Sequence, residues 1–370
     1  MDGDVEVDAV VVGAGLAGLA AAHRLHAGGL SVRVIEARGR VGGRLLTIAH
    51  EGADGRGWLD LGATWYWDDQ PQVRALVRQL GLSAFPQFAR GQAVVEEIEG
   101  EPPAPVDVPP PVPAEHRLVG GTQPLAEGLA DGLPDDTVAY AQRVTAIAGE
   151  ESGVVTTVTA ADGRSSEVGA RFAVVAVPPR LAQQDITFSP ALPDDLLAVM
   201  RATPTWMGSA IKCVAVYESP FWRGAGLSGR AFSEVGPLRE VHDACTDDGA
   251  VAALWGFVSP LDAFREIGPE ERTERALEQL GRLFGPGAGD PVQYTERDWS
   301  GDPNTNDEVW WVDGPILDYG HPAFARPLYG GRLAWAGAET VAEGGGHMEG
   351  AVRSGHRAAD LVLRAASAGS

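Results

Sequence analysis

The 370-residue sequence has few cysteines, few basic residues and no long apolar run. Two cysteines, Cys213 and Cys245, cannot build a disulfide framework or a CxxC metal site, and they favour a reducing compartment. With 29 basic against 51 acidic residues, the net charge of −22 argues against a nucleic-acid partner or an anionic membrane surface. No apolar run reaches the roughly 18 residues of a membrane span, and the acidic residues 1–8 do not resemble a signal peptide. We therefore expect a cytoplasmic protein.

Other chemistries are also missing from the sequence. None of the eight histidines belongs to an HExxH motif, so we expect no metal site, and no GxSxG motif indicates an α/β-hydrolase. The composition, with 44% apolar and 22% charged residues, is that of a folded protein. The length exceeds the roughly 250–300 residues at which a single core stops growing, which predicts two domains.

Lysine is the rarest of the charged residues, because 28 of the 29 basic side chains are arginine and only Lys212 is not. Such a position plausibly needs a primary amine that can titrate, which a guanidinium cannot supply. Lys212 lies in the apolar run 210–217, where strand alternation places it on one face with Val214 and Val216. A buried ammonium requires a partner or a lowered pKa. The plainer interpretation is an edge-strand lysine that extends to solvent.

The first 36 residues contain a GxGxxG pattern in a favourable context. An apolar strand over 9–12 precedes Gly13, Gly15 and Gly18, a helix is expected to about residue 27, and a second strand over 31–35 ends at Glu36. Glycines at such a turn let the backbone approach a pyrophosphate at the helix N-terminus, and an acid after the second strand accepts a ribose hydroxyl. The segment therefore predicts dinucleotide binding.

The residues that follow resemble the FAD fingerprint of the flavin-dependent amine oxidases, the monoamine and polyamine oxidase family. The resemblance begins at 36–44, with Arg38, Gly43 and Arg44, and Arg44 is placed to reach the pyrophosphate. Ordered motifs then continue over most of the chain. They are 59–65 with Gly62, Ala63 and Thr64, 119–123 followed by Val144, 172–179, 207–223 with Lys212, 333–340 with Gly337 and Glu339, and 346–351 with His347 and Met348.

The resemblance implies an α/β, two-domain FAD/NAD(P)-binding Rossmann-like fold. The FAD-binding domain is expected from 1–78, 120–200 and 300–370, and a substrate domain with a mixed sheet that carries Lys212 from 79–119 and 201–299. The implied reaction is oxidation of an amine C–N bond to an imine, with O2 reduced to H2O2. Lys212 is implied to hold a water against flavin N5. The glycines 344–346 are implied to let the chain pass close to the flavin, and the helix that begins near Met348 to face it. Family members that bind FAD covalently do so through a cysteine near 302–312, and because this chain has none there, we expect non-covalent FAD.

Two aromatic walls hold the amine in this family. His347 stands where the monoamine branch has a tyrosine, so it is either a polar binding group or proton acceptor, or a filler of the same space. The second wall is implied within 309–311, at Trp310 or Trp311 or at Val309.

The segment 101–113 departs from the family, whose members usually carry a long helical insertion there. Seven of its thirteen residues are proline, which predicts an extended strap instead of a helix. We expect a wider, wetter substrate face that favours a large amine, or a homodimer in which a second subunit supplies the missing wall. The alternative is that the strap and the loop 85–88 fold inward and close the cavity.

Three other functions share this fold. An L-amino-acid oxidase would need an arginine for the substrate carboxylate, for which Arg223 and Arg230 are candidates. A C–C desaturase would not need Lys212, and a non-catalytic flavoprotein would release no H2O2.

Overall fold

The computed structural model describes residues 6–50, 57–259, 262–305 and 319–368. The strands are β1 (Val7–Val12), β2 (Val32–Ile35), β3 (Thr47–His50), β4 (Gly57–Asp60), β5 (Trp65–Trp67), β6 (Ala84–Pro86), β7 (Gln92–Glu96), β8 (Ala104–Val106), β9 (Glu115–Leu118), β10 (Val138–Ala139), β11 (Gln142–Gly149), β12 (Val154–Ala160), β13 (Ser165–Val175), β14 (Thr187–Ser189), β15 (Ile211–Tyr217), β16 (Leu227–Ser233), β17 (Leu238–Asp243), β18 (Ala252–Val258), β19 (Gln293–Asp298) and β20 (Leu333–Trp335). The α-helices are α1 (Leu16–Ala27), α2 (Pro71–Gln79), α3 (Gln123–Asp131), α4 (Pro179–Asp185), α5 (Asp194–Ala202), α6 (Phe221–Gly224), α7 (Asp262–Arg265), α8 (Pro269–Phe284) and α9 (Met348–Ala368).

The first sheet is built on the predicted β–α–β unit. Strand β1 pairs in parallel with β2 and with β13, and the full order is β10-β2-β1-β13-β12-β11-β14, with β20 also parallel to β13. Residues 9–12 of β1 are buried because the sheet is covered on both sides, which explains their uninterrupted apolar character. The predicted α/β class with a Rossmann-like first unit is confirmed.

Helices α1 and α9 pack closely against each other on this sheet. The backbone of Gly355 lies so near α1 that a Cβ there would sit 2.3 Å from the Ala17 carbonyl oxygen. This close approach brings the beginning of α9 beside the glycine turn that precedes α1.

The second sheet has the strand order β19-β15-β18-β17-β16-β7-β8. It is mixed, because β16 and β7 run parallel whereas the other pairs are antiparallel. Cys213 and Ala215 face the core beneath α8, and Val214 and Val216 face Leu59 and its neighbours, which is the predicted alternation. Every residue of β15 is buried. The assignment of the two sheets to an FAD domain and a substrate domain stays a prediction.

The proline-rich strap contains no helix, and its one regular element is β8. This strand pairs antiparallel with β7 at the edge of the second sheet. Proline suits such an edge position because its nitrogen has no hydrogen to donate to a further strand.

Candidate active site

One cavity of about 600 Å³ runs from the glycine turn to the second sheet. That volume lies within the range of small-molecule sites. The predicted site residues that line it are Gly13, Gly15, Glu36, Arg38, Gly43, Arg44, Gly62, Ala63, Thr64, Val144, Lys212, Gly337, Glu339, His347 and Met348. Gly18 does not line the cavity. Val309, Trp310 and Trp311 lie outside the described residues.

The glycine turn has the geometry of a dinucleotide cradle. Gly13 has a φ of +98°, and a Cβ on Gly18 would lie 1.9 Å from the Gly13 carbonyl oxygen, so both positions require glycine. A Cβ on Gly15 would meet nothing within 4 Å, so this position leaves open space beside the backbone. Gly18 thus acts by packing the helix on the turn, whereas Gly15 borders the space for the ligand.

Glu36 holds this turn in place. Its two carboxylate oxygens accept the backbone N–H of Ala14 at 2.7 Å and of Arg38 at 2.8 Å. A carboxylate oxygen has further acceptor capacity, so Glu36 can also accept a hydroxyl from a ligand in the cavity. The turn, the acid and the cavity together fit the ribose and pyrophosphate of FAD.

Arg44 is held in a buried ion pair rather than projecting freely. Its guanidinium donates to both oxygens of Glu339, at 2.6 and 3.1 Å, and to the Trp206 carbonyl at 2.8 Å. Glu339 is fully buried, and its Oε1 also accepts the backbone N–H of Trp206. Arg44 lines the cavity and keeps 28% of its side chain exposed, so it can still face an anionic ligand.

Lys212 is 1% exposed and lies against the segment 62–64. Its Nζ donates to the Gly62 carbonyl at 2.9 Å and to Thr64 Oγ1, and it lies 4.4 Å from the centroid of the Trp255 ring. Burial lowers the pKa of Lys212 to about 7, although the charge of Asp60 opposes this effect. Lys212 can therefore exchange between amine and ammonium near neutral pH. The edge-strand interpretation is wrong, because β15 lies between β19 and β18 inside the sheet.

The lack of a side chain at Gly62 lets the 62–64 segment lie close to the backbone of residues 44–46. A Cβ at Gly62 would lie 2.1 Å from the Arg44 carbonyl oxygen and 2.7 Å from the Leu46 nitrogen. Any larger residue would push the segment away from Arg44 and move the carbonyl that Lys212 binds.

His347 lies between two tryptophans that sequence reasoning did not identify. Its ring is 5.3 Å from that of Trp67 and 5.5 Å from that of Trp206. Burial lowers the pKa of His347, and its Nδ1 lies 2.9 Å from the Gly345 carbonyl oxygen. Because a carbonyl can only accept, Nδ1 carries the proton and Nε2 is left as an acceptor.

The glycines at 344–346 were expected to let the chain approach the flavin. A Cβ on Gly346 would meet the rings of Trp206 at 2.8 Å and Tyr319 at 3.1 Å, and one on Gly345 would meet Tyr319 at 2.8 Å. The missing side chains make room for these aromatic rings, and the approach of the chain to the flavin stays a prediction. Gly346 itself still lines the cavity, as do Met348 and Ala351 in the first turn of α9.

A row of three residues crosses the second sheet beside the cavity. Lys212 on β15 is opposite Phe257 on β18, and Phe257 is opposite Glu240 on β17. All three line the cavity. Since neighbouring strands are about 4.8 Å apart, the backbones of Lys212 and Glu240 are separated by roughly 10 Å. Sequence reasoning missed Glu240, because only strand register shows that it shares a face with Lys212.

Glu240 is ionised in this position. Burial alone would raise its pKa, but a hydrogen bond from His242 at 3.3 Å and the nearby charges of Arg230 and Arg239 outweigh that and lower the pKa. His242 in turn stacks on Trp255, with ring centroids 4.6 Å apart. The row therefore has a titratable amine at one end and a carboxylate at the other.

Neither arginine considered for an amino-acid carboxylate lines the cavity. Arg223 makes two hydrogen bonds to Asp243, at 2.9 and 2.8 Å, and lies over Phe88, whereas Arg230 lies over Phe232. No residue of the strap or of the 85–88 loop lines the cavity either, so the alternative in which they fold inward and close it is not found. Among the described residues, no group of three His, Cys, Asp or Glu side chains is arranged to hold a metal. No helix in the described ranges is long and apolar enough to cross a bilayer.

Sequence comparison places the chain among known proteins. The profile of a family described as flavin containing amine oxidoreductase matches residues 16–114 and 111–363. Putrescine oxidase from Kocuria rosea is 30% identical over an alignment that covers 98% of this chain and 96% of that protein. That alignment spans 476 residues, so the relative has segments that this chain lacks. A probable flavin-containing monoamine oxidase A from Dictyostelium discoideum is 27% identical, with coverage of 95% and 96%.

Solved structures agree with the sequence comparison. A putrescine oxidase bound to putrescine superposes with a TM-score of 0.82 at 28% identity, and covers 97% of this chain and 99% of its own. Cyclohexylamine oxidase from Brevibacterium oxydans IH-35A superposes with a TM-score of 0.83 at 25% identity, with coverage of 98% and 99%.

Proposed function

Because this chain belongs to the flavin-containing amine oxidoreductases and oxidises amines with FAD, we propose that its substrate carries a second positive charge besides the amine that reacts. The observation that supports this proposal is the row Lys212, Phe257 and Glu240, which places a carboxylate in the same cavity as the buried lysine. A diamine, or a larger amine with a second ammonium, fits this arrangement.

Bound FAD supplies the two-electron acceptor that takes a hydride equivalent from the carbon next to the amine nitrogen. The protein must orient that carbon and bind the reacting amine without its extra proton. The neutral imidazole of His347, with Nε2 as acceptor, can receive a hydrogen bond from the amine N–H. The tryptophans beside His347 add apolar surface that favours the neutral amine over the ammonium.

The second ammonium would be held by Glu240 at the other end of the row. A charge-assisted hydrogen bond of this kind contributes about 1.5–3 kcal/mol, which is roughly 10- to 100-fold in affinity. Phe257 lies between the two ends and can contact the methylene chain. A relative that is a putrescine oxidase supports the same substrate class.

The experiment is a panel of diamines and monoamines of matched chain length, with H2O2 release as the readout, on the wild type, Glu240→Gln and Glu218→Gln. Glu218 is exposed and does not line the cavity, so it is the matched control. We expect Glu240→Gln to raise KM for diamines about 10-fold or more and to leave KM for monoamines nearly unchanged. Equal changes for both classes would contradict the role of Glu240.

The proposal also includes the electron acceptor and the cellular location. We infer that O2 is the acceptor, because Lys212 in its protonated form can stabilise the negative charge that develops during O2 reduction. We also infer a cytoplasmic location, which the two buried free thiols support. A large amine and a homodimer remain predictions of the sequence, and light scattering on the purified protein tests the second of them.

A further inference from the structure

Asp60 is a buried carboxylate that the proposed reaction does not use. It ends β4, two residues before Gly62, whose carbonyl accepts a hydrogen bond from Lys212. Asp60 is only 4% exposed. Burial raises the pKa of Asp60, and the charge of Lys212 is the largest effect that opposes this rise.

The two oxygens of Asp60 have different surroundings. Oδ1 accepts from Thr47 Oγ1 at 2.6 Å and from the Thr122 backbone N–H at 3.0 Å. Oδ2 is buried and has no hydrogen-bond partner among the described residues. Gly121 leaves room for the hydrogen bonds of Oδ1, since a Cβ there would lie 2.6 Å from this oxygen. The local structure therefore fixes the orientation of the carboxylate although it satisfies only one of its oxygens.

Other charged and titratable groups near Lys212 do not replace Asp60. Arg117 is buried and repels the ammonium, Cys213 on the same strand is a thiol whose pKa burial raises to about 11, and Glu240 is about two strands away. No carboxylate among the described residues lies within ion-pair distance of Lys212. Asp60 is the strongest of the charges that favour the ammonium.

We propose that Asp60 is a positioning residue that favours the protonated form of Lys212 beside the 62–64 segment. Opposite charges that are both removed from water stabilise each other strongly, because little solvent screens them. Thr122 links Asp60 to the segment that Lys212 contacts, because its backbone N–H donates to Asp60 and its hydroxyl donates to the Ala63 carbonyl at 2.8 Å. Only the expected effect on turnover rests on the proposed function, because the charge state of Lys212 is a property of the fold.

The chain offers an unusually direct test, because Lys212 is its only lysine. Protein grown with lysine labelled with ¹³C and ¹⁵N gives a single side-chain signal, whose shift against pH reports the pKa of Lys212 in the FAD-bound protein. The variants are Asp60→Asn, which keeps the shape and removes the charge, and the control Glu96→Gln. Glu96 is also buried and paired, but it lies on β7 near the far edge of the second sheet.

We expect Asp60→Asn to lower the measured pKa of Lys212 by about one unit or more and Glu96→Gln to leave it unchanged. The optimum pH of the O2-dependent step should move in the same direction. An unchanged lysine titration in Asp60→Asn would overturn the proposal.

A second variant covers the case in which Asp60→Asn does not fold. Thr47→Val removes one hydrogen bond to Asp60 without changing any charge, so the carboxylate ionises less readily and the pKa of Lys212 should fall by a smaller amount. No shift in this variant would also contradict the proposal. If the lysine signal shifts as expected but no amine supports turnover, the proposed function fails and the inference about Asp60 stands.

Discussion

Replacing Lys212 by Met should change how the stability of the protein depends on pH. The pKa of Lys212 falls from 10.5 in the unfolded chain to about 7 in the fold because burial disfavours the ammonium. Between these values the unfolded chain binds the extra proton, so the stability of the wild type rises with pH across this window. At about 1.36 kcal/mol per pKa unit, the whole effect is roughly 5 kcal/mol, of which about 2 kcal/mol falls between pH 7 and pH 9.

Lys212→Met lacks this titration, so the difference in stability between the wild type and the variant should move in favour of the wild type as the pH rises. Loss of the ammonium also raises the pKa of Asp60 further, which destabilises the variant as Asp60 ionises and therefore acts in the same direction. The assay is urea unfolding of both proteins at several pH values from 7 to 9, with the same excess of FAD. A difference that stays constant over this range would refute the conclusion that Lys212 is buried with a lowered pKa.

The remaining predictions concern oxygen, the cofactor and the glycine turn. In stopped-flow traces, Lys212→Met should slow reoxidation of the flavin by O2 more than its reduction by the amine. Lys212→Arg should restore little of the reoxidation rate, because the planar guanidinium does not fit a compact ammonium site. Unchanged reoxidation would assign Lys212 another role. Acid or heat should release all FAD into the supernatant, and flavin that stays with the precipitate would show a covalent bond. Gly18→Ala should weaken FAD binding about 10-fold or more in titrations of the apoprotein, since the new Cβ would lie 1.9 Å from the Gly13 oxygen; an unchanged Kd would contradict the packing role of Gly18.

The parts of the site that could be predicted are those that depend on local sequence. The turn with Gly13, Gly15 and Gly18 and the acid Glu36 belong to one continuous β–α–β unit, so spacing alone places them together. Lys212 could be identified because it is the only lysine and because alternation along one strand determines which face it shares. Such features need no knowledge of which distant segment packs against them.

The parts that could not be predicted depend on pairing between distant segments. Glu240 comes onto the same face of the sheet as Lys212 only through the register of three strands, and no motif marks it. Trp67 and Trp206 contact His347 from separate parts of the chain. The ring contacts of the glycines at 345–346 could not be predicted for the same reason, because the rings come from elsewhere in the fold.

Anaerobic mixing of the FAD-bound protein with amines tests the central claim most directly. We predict that an amine with a second ammonium bleaches the flavin absorbance band, that monoamines of equal length do so only at higher concentration, and that admission of O2 restores the band with release of one H2O2 per amine oxidised. A flavin band that no amine in the panel bleaches would contradict the assignment of this cavity as an amine oxidase site.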